Sequence, residues 1–392
     1  MVDNLHDKSR PLEWGYPTTW GLMRQVISFS FVGMFGAWGG APERGVASLR
    51  SDEPVGQYPH PYHHPKNETI NPQRGGNAQD PRGEKPAPQK GGEGVIPNYM
   101  HAEPTIEAME AGKHVIVEKP MAMNSREAYE MVRVAERTGV LNMVAHNYRF
   151  VPAIVLARQL IGSGSLGRIY HFRALYLQQS LANPEAPMTW RLRREYAGYG
   201  TIADLGSHVI DLARYLIGEV ISVNGTLYTF NRFRVNQATG VREEVNVDEG
   251  FTAMLRFENG AVGLIEASKL ATGHYNSLII EVNGSEGSIR FDLERINELE
   301  VHLAKDGELS GFRRILVTQR IHPYLRFWWP PGHVLGWEHT FTHEIYHFLT
   351  RLAEGKDVAP EAANFRDGLR VMRIIEAIAE SSEKGTWVNV AG

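Results

Sequence analysis

The residues best suited to chemistry fall in two short stretches. In "GTIADLGSHVIDLARYLIG" (200–218), Asp204, His208, Asp211 and Tyr215 recur at helical spacing and form a polar stripe, while Leu205, Val209, Leu212 and Leu216 form an apolar one. An acid and a histidine one turn apart can share a substrate hydroxyl, the imidazole accepting its proton. The same spacing also describes a surface pair on an amphipathic helix. In "GKHVIVEKPMA" (112–122), Lys119 emerges between Glu118 and Pro120 where an apolar strand ends. Ligands of open α/β sheets bind at the carboxyl ends of strands, so a lysine there can reach both a cofactor and a substrate oxygen. It could equally be an ordinary strand-end cation.

A third pattern competes. "HEIYH" (343–347) reads as the helical His-Glu-x-x-His of zinc peptidases, and His339, His343 and His347 are spaced four apart. Phe341, Ile345, Phe348 and Leu352 make an apolar stripe on the same helix, and no third ligand is identifiable. The expectation is therefore no metal site, with His339 closer to a substrate pocket than to zinc.

The elements that must position these groups divide into two textures. Over 95–148, short apolar strands alternate with helices. "AEPTIEAMEAG" closes on Gly112, "KHVIVEKP" stops at Pro120, and "NSREAYEMVRVAERTG" opens with Asn124 and Glu127 at capping-box spacing. Near-continuous apolar strands of this kind belong to a parallel sheet covered on both faces. From 168 onward strands follow one another: 168–177, 220–230, 250–260, 261–270 and 276–293, with "ENGA" and "NGSEGS" as hairpin turns. Two helices, about 336–354 and 364–384, close the chain. The expected fold is α/β: an N-terminal dinucleotide-binding domain (24–148) after an extension (1–23), then an α+β domain (149–392) with an open, mainly antiparallel sheet.

Bulk properties narrow the function classes. The 392 residues carry 41 Lys+Arg against 45 Asp+Glu, a net charge of −4, so no basic field suggests a nucleic-acid partner. The absence of cysteine excludes disulfides, thiolate metal sites and a cysteine nucleophile. No apolar run is long enough to span a membrane. "RQVISFSFVGMFGAWGGA" (24–41) has some features of a secretory signal, but reads better as a buried first strand entering a glycine turn.

"AGKHVIVEKPMA", "PNYMHAEP" and "DLGSHVIDLARYL" together resemble the glucose–fructose oxidoreductase/inositol dehydrogenase/rhizopine catabolism (Gfo/Idh/MocA) family, over about 95–392. "AHNYRFVPA", "LYLQQ", "TWRLRREYAGYGTIADLGSH" and "GWEHTF" are similar to its sugar and inositol dehydrogenases. The resemblance implies an NAD- or NADP-binding Rossmann domain followed by an open-sheet domain. It implies Lys119, Asp204 and His208 as the catalytic set, with Pro120 often cis. It further implies Pro97, Asn98, His101, Glu118 and Lys119 beside the cofactor, and Tyr148, Arg149, Gln178, Trp190, Arg191, Asp204 and His208 around a carbohydrate or cyclitol substrate. A cytoplasmic homodimer or homotetramer is the corresponding expectation.

One region departs from this pattern. The cofactor fingerprint should be Gly-x-Gly-x-x-Gly, but "FVGMFGAWGG" supplies Gly33, Gly36 and Gly39, with Phe35 as one residue too many between the first two. Residues 41–94 hold nine prolines and only Val46, Leu49, Val55 and Ile70 as large aliphatics, too few to offset the entropy of ordering the segment. The acid that should end a second strand has only Asp52 and Glu53 as candidates, with nothing apolar leading into them. A non-catalytic relative unable to bind dinucleotide is thus the alternative to a dehydrogenase. The abrupt changes of texture motivate the hypothesis that 34–94 is out of frame between two correctly framed parts. Resequencing the coding DNA tests this: compensating insertions or deletions are expected at its edges, and an intact frame would refute it.

Overall fold

The computed structural model describes residues 31–32 and 96–391. The glycine-rich turn and the proline-rich segment lie outside the described residues, as does all of 24–41 except Phe31–Val32.

Phe31–Val32, Val115–Val117 and Asn142–Val144 pair in parallel, in register Phe31↔Ile116 and Val115↔Asn142. The carboxyl ends of all three strands therefore share one edge. The helix Ala102–Glu110 precedes the middle strand and Ser125–Thr138 follows it. Asn124 accepts from the Glu127 N–H, while Gly139 ends the second helix in the left-handed conformation that a β-carbon disfavours.

The second sheet has nine strands. Its order is Arg313–Leu316, Glu298–Leu303, Gly287–Asp292, Ser277–Gly284, Ile169–Leu177, Val262–Ser268, Gly250–Phe257, Val220–Tyr228 and Val388–Asn389. Only the Ile169–Leu177/Val262–Ser268 pair is parallel. The stretch 276–293 is the hairpin that "NGSEGS" indicates, the chain turning between Gly284 and Gly287. Glu298–Leu303 and Arg313–Leu316 extend the sheet beyond the strands read from the sequence, although Leu299, Val301 and Leu303 alternate with polar residues as a half-buried strand should.

Alternation sets the inner face: Phe172, Ala174 and Tyr176 on one strand, Phe251, Ala253 and Leu255 on another, Ile265 and Ala267 on a third. Against it pack the helices Gly206–Leu216 and Phe365–Lys384, through Val209, Leu212 and Leu216 and through Ile374, Ile375 and Ile378. Gly206 permits the close approach, since a β-carbon there would sit 2.8 Å from the Phe251 ring.

The polar stripe of Gly206–Leu216 is not a surface feature. His208, Asp211 and Tyr215 are all buried. Asp211 accepts two hydrogen bonds from Arg149, Nε at 2.8 Å and a terminal nitrogen at 2.6 Å, and the Arg149 guanidinium lies 4.8 Å from the Tyr215 ring centroid. Such a pair contributes little net stability but is costly to break, because one buried charge is left uncompensated. Arg149→Met should lower the free energy of unfolding by about 3–5 kcal/mol. Urea denaturation checks this, and a loss within error of zero would contradict it.

Candidate active site

Three chain ends converge at the carboxyl edge of the parallel sheet. Val115 and Val117 anchor their strand in the core, so the chain emerges at Glu118 and Lys119, and the Lys119–Pro120 peptide is cis. Across the cleft, Asp204 ends the short helix Thr201–Asp204. That helix is held at its start by Asp248, whose carboxylate accepts from the Gly200 N–H (2.9 Å) and the Ile202 N–H (2.8 Å). Burial raises the Asp248 pKa to about 6, and the two backbone donors oppose the rise. Gly200 is required by close contact: a β-carbon would lie 2.0 Å from the Asp248 carbonyl oxygen.

The Lys119 ammonium donates to Asp204 Oδ1 at 2.7 Å and to the Asp204 carbonyl at 3.1 Å. Lys269, just past the strand Val262–Ser268, donates to Asp204 Oδ2 at 2.5 Å. Burial pushes the Asp204 pKa up, but the two ammonium groups outweigh it and hold the carboxyl well below its ordinary range. One turn along, His208 is buried, and its Nδ1 finds no protein partner among the described residues. Burial, with Lys119 and His146 adding to it, holds the His208 pKa well below the ordinary imidazole value. His208 is therefore neutral near pH 7 and able to accept a proton. Tyr148 packs on its ring at 4.6 Å between centroids, with His146 at 5.8 Å and Tyr176 at 6.1 Å.

Most of the residues singled out in the sequence meet here. Asn98, Trp190 and Arg191 line the same cleft as Lys119 and Asp204, and the Arg191 guanidinium lies 4.4 Å from the Trp190 ring centroid. Gln178 Nε2 and the Tyr176 hydroxyl both donate to Asn276 Oδ1, at 2.9 and 2.7 Å. The Tyr176 and Tyr148 hydroxyls are 2.7 Å apart. Pro97 caps the turn Asn98–Met100. His101 is buried behind the site, with Nδ1 2.9 Å from the Pro120 carbonyl, and burial lowers its pKa to about 4. The Glu118 carboxylate turns back to accept the Lys119 N–H at 3.2 Å, and burial raises its pKa. Arg149 is the correction. It was expected at the substrate, but Nε and one terminal nitrogen bond Asp211 in the interior, the other terminal nitrogen lies 3.7 Å from Asp367, and the side chain is 3% exposed. Gly33, Gly36 and Gly39 lie outside the described residues.

Sequence reasoning missed Lys269, Asp248 and Asn276. Lys269 had a usable signal: Gly263, Ile265, Ala267 and Lys269 share strand parity, so the lysine falls on the core-facing side, where an unpaired ammonium would be costly.

The zinc-like motif has other work. Trp328 Nε1 donates to His343 Nε2 at 2.7 Å, and His343 Nδ1 lies 3.1 Å from the Phe150 carbonyl, so both ring nitrogens bond protein atoms. His347 Nε2 lies 2.8 Å from the Val358 carbonyl. His339 accepts from the Gly336 N–H at 3.0 Å and packs edge-on to Trp328. Glu344 is buried.

The described edge fits the nicotinamide end of a dinucleotide. It presents a lysine, an amide side chain and a buried neutral imidazole, and Asp204, the carboxylate lining this cleft, is already neutralised. Comparison with known proteins agrees. Residues 95–146 match the oxidoreductase family with an NAD-binding Rossmann fold, and 154–290 match the GFO/IDH/MocA C-terminal domain. The chain is 41% identical over 310 residues to levoglucosan dehydrogenase of Pseudarthrobacter phenanthrenivorans, covering 76% of this chain and 78% of that protein. It is 30% identical over 213 residues to an NAD+-dependent scyllo-inositol 2-dehydrogenase of Bacillus subtilis, covering 54% and 57%. A solved levoglucosan dehydrogenase in complex with NADH and L-sorbose superposes with a TM-score of 0.73 at 42% identity, covering 76% and 78%. A Kribbella flavida oxidoreductase domain protein does so with 0.73 at 44%, covering 76% and 79%. A dinucleotide-type sheet edge, an open-sheet domain and the lysine, aspartate and histidine gathered between them thus agree with these likenesses: the chain belongs to the Gfo/Idh/MocA family of oxidoreductases.

Proposed function

We propose that this chain is an NAD(P)-dependent dehydrogenase acting on a secondary hydroxyl of a sugar, anhydrosugar or cyclitol. The observation that carries the reading is the 2.7 Å contact between Lys119 and Asp204, one helical turn from a neutral, buried His208. The bound nicotinamide supplies the hydride acceptor at its C4. The protein's share is acid–base and electrostatic. His208 takes the hydroxyl proton, Lys119 stabilises charge developing on the oxygen, and Asp204 orients both substrate and lysine. Asn98 and Pro97 would lie beside the nicotinamide ribose, and Gly33, Gly36 and Gly39 are the sequence's candidates for the pyrophosphate.

The likeness to levoglucosan and inositol dehydrogenases supports the substrate class. Trp190 offers a flat face for a sugar ring, and Tyr148 and Gln178 offer polar groups that read hydroxyls. The outer face of the nine-stranded sheet leaves Met254, Val262 and Leu264 46–49% exposed, which supports a homo-oligomer built on that face. One observation favours a second reading, a relative that does not bind dinucleotide: Phe35 adds a residue to the glycine fingerprint.

Titration with NADH, followed by nicotinamide fluorescence, separates the two readings, and saturable binding is expected. In a panel of levoglucosan, inositols and aldoses, the best substrate should lose about 10²–10⁴ in kcat/KM on His208→Asn. Lys119→Met should cost about 10²–10³. Parent-like rates in either variant would remove that residue from the mechanism. The pH dependence has a definite sign. The neutral imidazole is the active form, so kcat/KM for oxidation should rise with pH through the His208 pKa, and that limb should lie below the ordinary histidine value of about 6.5. A limb at or above that value would assign the base elsewhere.

A further inference from the structure

Asp204 carries one more cation than an anchoring carboxylate needs. Lys119 occupies Oδ1 and Lys269 occupies Oδ2, at 2.7 and 2.5 Å, and the two lysines come from the ends of strands in different sheets. Their circumstances differ. Lys269 is the more enclosed, with 9% of its side chain exposed against 18% for Lys119. Its main chain is held on both sides, its N–H donating to the Glu249 carbonyl (3.1 Å) and its carbonyl accepting from the Leu181 N–H (2.9 Å). Nearby acids do not draw it away. Glu249 is bound to Arg234 at 3.0 Å, and Asp248 is bound to the Gly200 and Ile202 backbone.

We propose that Lys269 is a positioning residue that keeps Asp204 ionised and fixed in orientation while Lys119 exchanges its bond from that carboxylate to the reacting oxygen. The physical need is direct. In a one-to-one pair, Lys119 could leave only by abandoning a carboxylate that has 32% of its side chain exposed, and loss of the counter-charge would favour uptake of a proton. A second ammonium on the other oxygen shares the carboxylate's charge and stays when the first departs. Proton transfer from substrate to His208 is unchanged in stoichiometry, and Lys269, which lines the same cleft, acts through Asp204 and not on the reacting atoms. The groups that face Asp204 are Lys119 and Glu118 from the parallel-sheet edge, Lys269 and Tyr176 from the open sheet, and His208 from its own helical segment. Of these, Lys269 is the cation with no other part in the reaction.

This rests on the dehydrogenase reading, so its test has a readout independent of turnover. Lys269→Met, Lys269→Gln and Lys269→Arg are compared in the full chain. Asp204 is followed by carboxyl ¹³C chemical shift against pH, its resonance assigned with Asp204→Asn. Loss of the ammonium in the Met or Gln variant should raise the Asp204 midpoint by about 1–3 pH units, and Arg should restore it. In turnover, the same two variants should lower kcat, most strongly at acid pH, with KM for NAD+ unchanged. An Asp204 midpoint unmoved in whichever of the Met and Gln variants folds, or one that Arg fails to restore, overturns the proposal. If the parent chain binds no NADH, the dehydrogenase reading fails by itself, and the Asp204 titration still decides whether Lys269 holds the carboxylate.

Discussion

A carboxylate set between two sheets requires positive partners, and Asp204 takes one from each side of its cleft. That requirement organises much of the molecule. Lys119 can arrive only if the strand Val115–Val117 ends at the edge facing the second domain, and Lys269 only if the strand Val262–Ser268 runs with its carboxyl end toward the same point. Those two strands, the parallel pairing of Val262–Ser268 with Ile169–Leu177, and the Asp248 latch on the start of the Asp204 helix are parts of one geometrical solution. The chemistry and the packing of the two domains share their contacts, so the ion cluster acts as a joint as well as a site.

A second charged layer lies behind the first and does a different job. The helix Gly206–Leu216 carries both His208 and Asp211 inward, and a carboxylate so buried needs a positive partner. Arg149 compensates the Asp211 charge by taking both of its oxygens. His146, 4.0 Å from Asp211, is kept neutral by burial, which lowers its pKa to about 4. The interior pair therefore satisfies a buried charge, and this is why Arg149 turns away from the cleft.

How much of this was legible in the chain depends on the kind of signal. Apolar periodicity located the helices Ser125–Thr138, Glu338–Glu354 and Phe365–Lys384 to within a few residues, because capping groups and terminal glycines mark their ends. It also located most of the sheet's strands. Arg313–Leu316 escaped because four residues are too few to show a period, whereas Glu298–Leu303 does alternate and was legible. Within the site, the joint occurrence of "EKP" and "DLGSH" indicated Lys119, Asp204 and His208, but the sequence does not say that the polar stripe is buried. The distinction between Asp204, which faces the cleft, and Asp211, which faces Arg149, depends on contacts 62 residues apart in the chain. Lys269 and Asn276 were invisible for the same reason, although strand parity offered a hint for the first.

The wall around His208 has a direction that further constrains what it can recognise. Trp337 Nε1 can only donate, and it does so to the Tyr148 hydroxyl at 3.3 Å. At the other end, Asn276 Oδ1 can only accept, and it receives both the Tyr176 hydroxyl and the Gln178 amide. Because the Tyr176 proton is spent on Asn276, the Tyr148 proton must be the one lying between the two hydroxyls. Tyr148 thus keeps one lone pair beyond the contact with Trp337 and no proton to offer, while its ring fixes the His208 imidazole from above. A group entering beside His208 meets an acceptor at Tyr148 and a donor at Lys119. A hydroxyl group, which can donate in one direction and accept in another, satisfies that pair; a carbonyl or carboxylate oxygen at the Tyr148 position cannot.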